Sequence, residues 1–161
     1  VLEHKLGQIV EIENYDKEPK LNSKPILNIK SLLTESEDWE KGFNERNRDI
    51  CIEAMHFPHV RLWKNTFSIF HVAEDFLKGF DKQTADLEKE SWGRTVTLDI
   101  KAIQSSDDKV HLTLHQSRRD KENREYHNFV TLWIVTKIEG KWGIQFRSSF
   151  LEGVSQINPI Q

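Results

Sequence analysis

The feature that most restricts what this chain can fold into is a change of hydrophobic period at Trp92. Beyond it, Val96, Leu98 and Ile100 alternate with Thr97, Asp99 and Lys101, the period of two that sends successive side chains to opposite faces of a strand. Ser105 to Asp108 read as a turn, Val110 to Arg118 as a second strand, Asp120 to Asn123 as another turn, and Tyr126 to Ile138 as a third strand. Glu139 and Gly140 make a two-residue hairpin into a fourth strand, Lys141 to Phe150. Four long consecutive strands form an antiparallel meander. Phe129, Val130, Leu132, Trp133, Ile134 and Val135 are apolar on both sides, so both sheet faces are expected to be covered at the centre.

Before Trp92 the pattern is helical. Ser36 can cap a helix whose first turn holds Glu37, Asp38 and Glu40, acids that suit the positive end of the helix dipole. That helix is expected to run to about Ala54, with Trp39, Phe43, Ile50, Cys51 and Ala54 as its buried stripe. Asn47 falls inside the stripe, where an amide either bonds to a neighbouring loop or lines a wet cavity. Pro58 ends the helical region, and Val60 to Trp63 with Thr66 to Phe70 read as a short hairpin. A second helix is expected from about Ala73 to Leu87. Residues 1–34 read as an arm, 35–152 as one domain and 153–161 as a tail. Helix, hairpin, helix and meander in that order imply an α+β fold with helices gathered on one face of a bent antiparallel sheet.

A chain of 161 residues with five Trp and nine Phe, but a hydrophobic share of only 37%, must fill its interior with bulky aromatics, and such interiors leave room for a ligand. The formal charge of −3, with acids and bases interspersed, supplies no basic field for a nucleic acid. The one dense basic cluster, Arg118, Arg119, Lys121 and Arg124, is broken by Asp120, Glu122 and Glu125 and reads as a solvated hairpin tip. The single cysteine, Cys51, fits a reducing compartment and a cytoplasmic location. No run approaches the ~20 apolar residues that span a bilayer, and the N-terminal stretch lacks the order of a signal peptide.

Two segments, His56-Phe-Pro-His-Val-Arg-Leu-Trp63 and Thr131-Leu-Trp-Ile-Val-Thr-Lys-Ile-Glu-Gly-Lys-Trp-Gly-Ile-Gln-Phe-Arg-Ser-Ser149, resemble the nuclear transport factor two-like superfamily, and more narrowly its SnoaL-like branch of small bacterial proteins. The likeness spans about Ser36 to Leu151 in element order. It implies a cone-shaped, cystatin-like fold with a strongly curved sheet wrapped around N-terminal helices, a pocket at the wide end, and homodimers that pack through the sheet. The superfamily hosts isomerases, dehydratases, cyclases, hydrolases and non-enzymatic modules, so the resemblance does not name a function. At the position of the ketosteroid isomerase base this chain has Leu62, which cannot take a proton, and neither Tyr15 nor Tyr126 lies on the first helix to serve as oxyanion partner.

The candidate residues follow. His56, His59 and Arg61 stand where the resemblance places the pocket mouth; they either anchor the helix-to-strand corner or act on a ligand, the histidines as acid or base and Arg61 on an oxygen. Counting from the Glu139-Gly140 turn pairs Leu132 with Arg147 and Ile134 with Gln145. In the resembling fold the matching positions of the last strand line the pocket, so Arg147 either meets a ligand or pairs with Glu53 or Asp99. Asn47, Gln145 and Arg147 are therefore expected to share one cavity whose mouth lies near His56, His59 and Arg61, with Arg61 also a ligand contact. The same count puts Trp133, Val135, Ile144 and Phe146 on the outer face, where a second copy would cover them. His111 and His115 sit roughly 13 Å apart along one strand, too far to share an ion, so no metal and no cofactor are expected. Two functions stay open: a pocket enzyme of the lyase, isomerase or cyclase kind acting on a largely hydrophobic molecule with an oxygen function, or a non-catalytic ligand-binding or assembly domain.

Overall fold

A computed structural model of the chain describes the backbone of residues 29–150 and the side chains of residues 36–150; the expected tail, and the expected arm up to residue 28, lie outside the described residues. The elements in order are α1 (Ile29–Glu45), α2 (Arg48–Glu53), β1 (Met55–Trp63), β2 (Thr66–Phe70), α3 (Ala73–Lys89), β3 (Trp92–Ser105), β4 (Lys109–Asp120), β5 (Glu125–Ile138) and β6 (Lys141–Ser149). The fold is α+β, with helices packed on a six-stranded sheet in the order β2-β1-β6-β5-β4-β3.

The meander is antiparallel as the alternation implies. Glu139 and Gly140 close its last hairpin with positive φ at both positions, 50° and 82°, the backbone of a type I′ turn. The sheet as a whole is mixed, because β1 lies parallel to β6. A purely antiparallel sheet is thus corrected: the meander ends alongside the strand that began the sheet, and both run the same way. Pro58 does not stop β1. It sits exposed where the register with β6 shifts between Met55 and Val60, an irregularity that tolerates a residue without an N–H.

The expected first helix is two helices. α1 begins at Ile29, ahead of the expected cap Ser36 and inside the expected arm, and ends at Glu45, just before Arg46, whose φ is 57°. Asn47 then caps α2, its side chain accepting from the backbone N–H groups of Asp49 and Ile50 at 3.1 and 3.2 Å. α2 folds back closely onto α1 at Gly42, where a Cβ would stand 2.9 Å from Ile50 Cγ2. At the start of α3, Asp75 accepts from the N–H groups of His71 and Val72.

The helices cover one face of the sheet, called here the inner face, and the core between them is aromatic. Trp39 stacks on Phe43 at 4.9 Å and meets Trp133 edge-on at 5.4 Å. Phe43, Phe76 and Phe80 continue the cluster, with Phe70, Leu87, Trp92 and Ile144 buried around it. Trp133, Val135 and Ile144 are at most 1% exposed, so their expected place on the outer face is corrected. The expected inner face is counted from Arg147, and a β-bulge between Ile134 and Val135 on the β5–β6 ladder sets Arg147 on the face of Trp133 and Val135: Val135 pairs with Ile144 as counted, but Ile134 pairs with Phe146 and Trp133 with Arg147. One extra residue on β6 reverses every face assignment counted past it.

Candidate functional site

The bulge places Arg147 opposite Trp133 and in register with Arg61 of β1, both pointing to the inner face. Arg61 and Arg147 are 6% and 5% exposed. They line a small inner cavity with Trp39, Phe43, Gln83 and Arg118 among its walls. Three of the sequence candidates come together here: Arg61, Arg147 and, directly behind Arg147, His59.

His59 is fully buried, and its two ring nitrogens have different tasks. Nδ1 lies 3.0 Å from the Ile144 carbonyl, which can only accept, so Nδ1 carries the proton and donates it. Nε2 is then the acceptor for Arg147 Nε at 3.1 Å. Burial first, and the Arg147 charge second, hold its pKa well below the ordinary 6.5. The imidazole is therefore neutral, with both nitrogens engaged.

The arginines have no matching acids. Burial, then the neighbouring Arg61 charge, lowers Arg147 to about 9; burial, then Arg118, lowers Arg61 to about 10. Both remain cationic at neutral pH. Arg147 rests its guanidinium 4.6 Å over the Trp39 ring, which offsets part of the burial cost. Among the described residues, Trp39 Nε1, Arg61 Nε, Gln83 Oε1 and Arg147 Nη2 are buried polar atoms without a hydrogen-bond partner. All four belong to residues that line this one cavity. Polar groups buried without partners are uncommon in folded proteins, and four around one space point to an occupant.

Sequence reasoning missed Arg118. It is 3% exposed, borders the cavity, and faces Glu90 at 3.6 Å; only Arg119, Lys121 and Arg124 belong to the half-buried or solvated hairpin end. The signal was present, since Arg118 falls on the same parity of β4 as Leu112, Leu114 and Gln116, all inward. Gln83 and Gln116 were also missed, each a polar residue on an otherwise apolar face.

The other candidates lie elsewhere. His56 and Gln145 are on the outer face, linked through Thr136: His56 Nδ1 is 3.0 Å from Thr136 Oγ1, which donates to Gln145 Oε1 at 2.9 Å. The His56 ring packs on Gly143, leaving no room there for a Cβ. Asn47 is an exposed helix cap, apart from the cavity. Glu53 and Asp99, the expected structural partners of Arg147, are both exposed.

A larger cavity of about 590 Å³ opens between α1 and β3, lined by Glu37, Glu40, Lys41, Arg94 and Asp99 among others. Its charged groups face solvent or are already bonded, as Glu40 is to the Thr97 N–H at 2.8 Å. Size alone favours it, but the unpartnered buried groups favour the inner cavity, and they carry the assignment. Among the described residues no cluster of His, Cys, Asp or Glu could hold a metal ion, and no helix is long and apolar enough to cross a membrane.

No protein-family model matches the chain, and no curated protein does. Solved structures do. A cystatin-like protein of unknown function from Nostoc punctiforme superposes with a TM-score of 0.60 over 74% of this chain and 86% of its own, at 14% identity. A nuclear transport factor two-like protein of unknown function from Shewanella oneidensis superposes at 0.55 over 74% and 95%, with 16% identity. This chain has the nuclear transport factor two-like fold. A hexachlorocyclohexane dehydrochlorinase from Novosphingobium barchaimii superposes at 0.54 over 80% and 93%, with 13% identity. The structures that this chain resembles thus include an enzyme as well as proteins of unknown function, and identities this low carry the fold alone.

Proposed function

We propose that this chain is a small-molecule-binding pocket protein whose inner cavity receives the oxygen function of its ligand, and that it binds without catalysing a reaction. The observation that carries the reading is the convergence of four unpartnered buried polar atoms, two of them on arginines, upon one cavity walled by aromatic rings. Binding without chemistry follows from the protonation chemistry of the site. His59, the imidazole that holds Arg147, has both nitrogens bonded within the protein. His59 is accordingly a positioning residue for Arg147, while Arg61 and Arg147 contact the ligand.

Thermal unfolding in the presence of a panel of oxygen-bearing metabolites tests this, because a ligand of the folded state raises its stability once its concentration exceeds the dissociation constant. At least one chemical class is expected to raise the unfolding temperature of the native chain and to be recovered unchanged. Recovery of a converted product would show catalysis instead, and no stabilisation by any class would remove the pocket reading.

A homodimer through the outer face belongs to the same proposal. Phe67, Ile69 and Val130 are 62%, 49% and 51% exposed there. The ladders set them in rows with half-buried neighbours, Phe67 beside Leu62 and Ile69 beside Val60, continuing through Phe146 to Ile134. An apolar surface crossing four strands is the kind that a second copy covers. The one cysteine, buried and free, suits the cytoplasm as the place of action.

A further inference from the structure

The inner cavity limits the charge and the size of what it can hold. Arg61 and Arg147 are register partners on adjacent strands, so two cations stand side by side out of water. The ionisable groups that bear on them are each other, Arg118 and the neutral Cys51 thiol; among the described residues neither has a carboxylate within ion-pair distance. Like charges opposed across a sheet and withdrawn from solvent repel. A neutral ligand would satisfy a donor or two but leave that repulsion in place. An anion seated between them removes it and offers each guanidinium fork paired acceptors. Arg61 Nε and Arg147 Nη2, both buried and unpartnered, are the donors available for it.

The walls select among anions. The cavity has about 40 Å³ of open volume, against the roughly 10–15 Å³ that a single water needs. A carboxylate brings two oxygens for the arginines and a hydrocarbon part for the walls, whereas a phosphate or sulfate sets two further oxygens against the aromatic rings of Trp39 and Trp133. Those rings, with Phe129, suit hydrocarbon rather than further charge.

We propose that the inner cavity is a carboxylate site, in which Arg61 and Arg147 clamp the head of a small organic acid and the aromatic walls take its hydrocarbon part. The proposal rests on the reading of the cavity as a ligand pocket and adds the ligand class. His59 contributes by holding Arg147 through Nε, which leaves Nη2 turned toward the acid.

The experiment is calorimetric titration of the full chain, in a carboxylate-free buffer at low salt, with acetate, propionate and benzoate, and in parallel with acetamide and inorganic phosphate. The three acids are expected to bind saturably, and acetamide and phosphate to bind at least about tenfold more weakly, a difference of about 1.4 kcal/mol. Arg61→Met is expected to lose about tenfold or more of the acid affinity with its far-ultraviolet dichroism unchanged, and Arg61→Lys to recover only part, because an ammonium lacks the fork. Arg124→Met, on the exposed hairpin, is expected to leave binding as it was. Acetamide binding as tightly as acetate would overturn the carboxylate assignment while leaving a pocket protein. Phosphate equal to acetate would overturn it in favour of an unselective anion site. Silence from every probe would remove the carboxylate site; if a neutral metabolite still stabilised the fold in the thermal panel, the pocket reading would survive it.

Discussion

His59 gives its one proton to a backbone carbonyl, and that bond decides what the buried arginine beside it can do. With Nδ1 committed to Ile144, Nε2 must accept, and Arg147 is fixed by its Nε rather than by the outer nitrogens. Two consequences are measurable. His59 and His56 both have folded pKa values below 6.5, so the unfolded chain binds their protons first as pH falls. The stability they contribute is complete above 6.5 and is lost as pH drops below it toward the folded values. Denaturant unfolding at pH 7.5, 6.5 and 5.5 is expected to show that decline, and His59→Gln to make it shallower; an unaltered slope in the variant would mean His59 is protonated in the fold. At Arg61, replacement by Met removes an unpaired buried charge and is expected to leave stability unchanged or to raise it by about 1 kcal/mol or more. A loss of about 3–5 kcal/mol would instead reveal a buried partner. At this scale the sequence was informative where residue type alone decides, as with an arginine among apolar neighbours. It was silent on the missing carboxylates, which only three-dimensional neighbours can show.

Among the elements, the decisive event is the bulge on β6. The turn at Glu139-Gly140 was legible from its dipeptide, and the pairing of Ile138 with Lys141 follows from it as counted. Past the bulge the count fails by one residue. That failure moved Arg147 from the Leu132 face to the Trp133 face and exchanged the core for the dimer surface. A bulge has no strong residue signature, so the alternation of β6, where Trp142, Gly143 and Ile144 are all buried, reads equally well in either register. Asn47 failed for a different reason: its amide satisfies the helix start of α2, a role its type favours over any buried stripe. Asn47→Ala is expected to cost about 1 kcal/mol in chemical denaturation, as caps do, and to leave acetate affinity as it was. A variant that keeps its stability but loses acetate would put Asn47 back into the cavity.

For the molecule as a whole, the aromatic composition was the most reliable guide. Few aliphatics and many large rings implied an interior built on Trp and Phe, and the Trp39, Phe43, Phe80 and Trp133 cluster is that interior. Phe43→Ala is expected to lose about 3–5 kcal/mol of stability by leaving a cavity among rings that cannot close it; a loss under about 1 kcal/mol would show the cluster to be loosely packed. Sedimentation should find a species of about twice 19.0 kDa at micromolar concentration, and Val130→Lys should shift it toward the monomer by charging the outer face. A native chain that sediments as a monomer would show that face to be free. The central claim, that Arg61 and Arg147 meet an acid in the inner cavity, is tested most directly by the nuclear magnetic resonance signals of the arginine Nε–H groups. On titration with acetate, the Nε–H of Arg61 is expected to move downfield and saturate with that of Arg147, while the signal of exposed Arg124 stays in place. Equal small shifts at all three, growing linearly with acetate and never saturating, would contradict it.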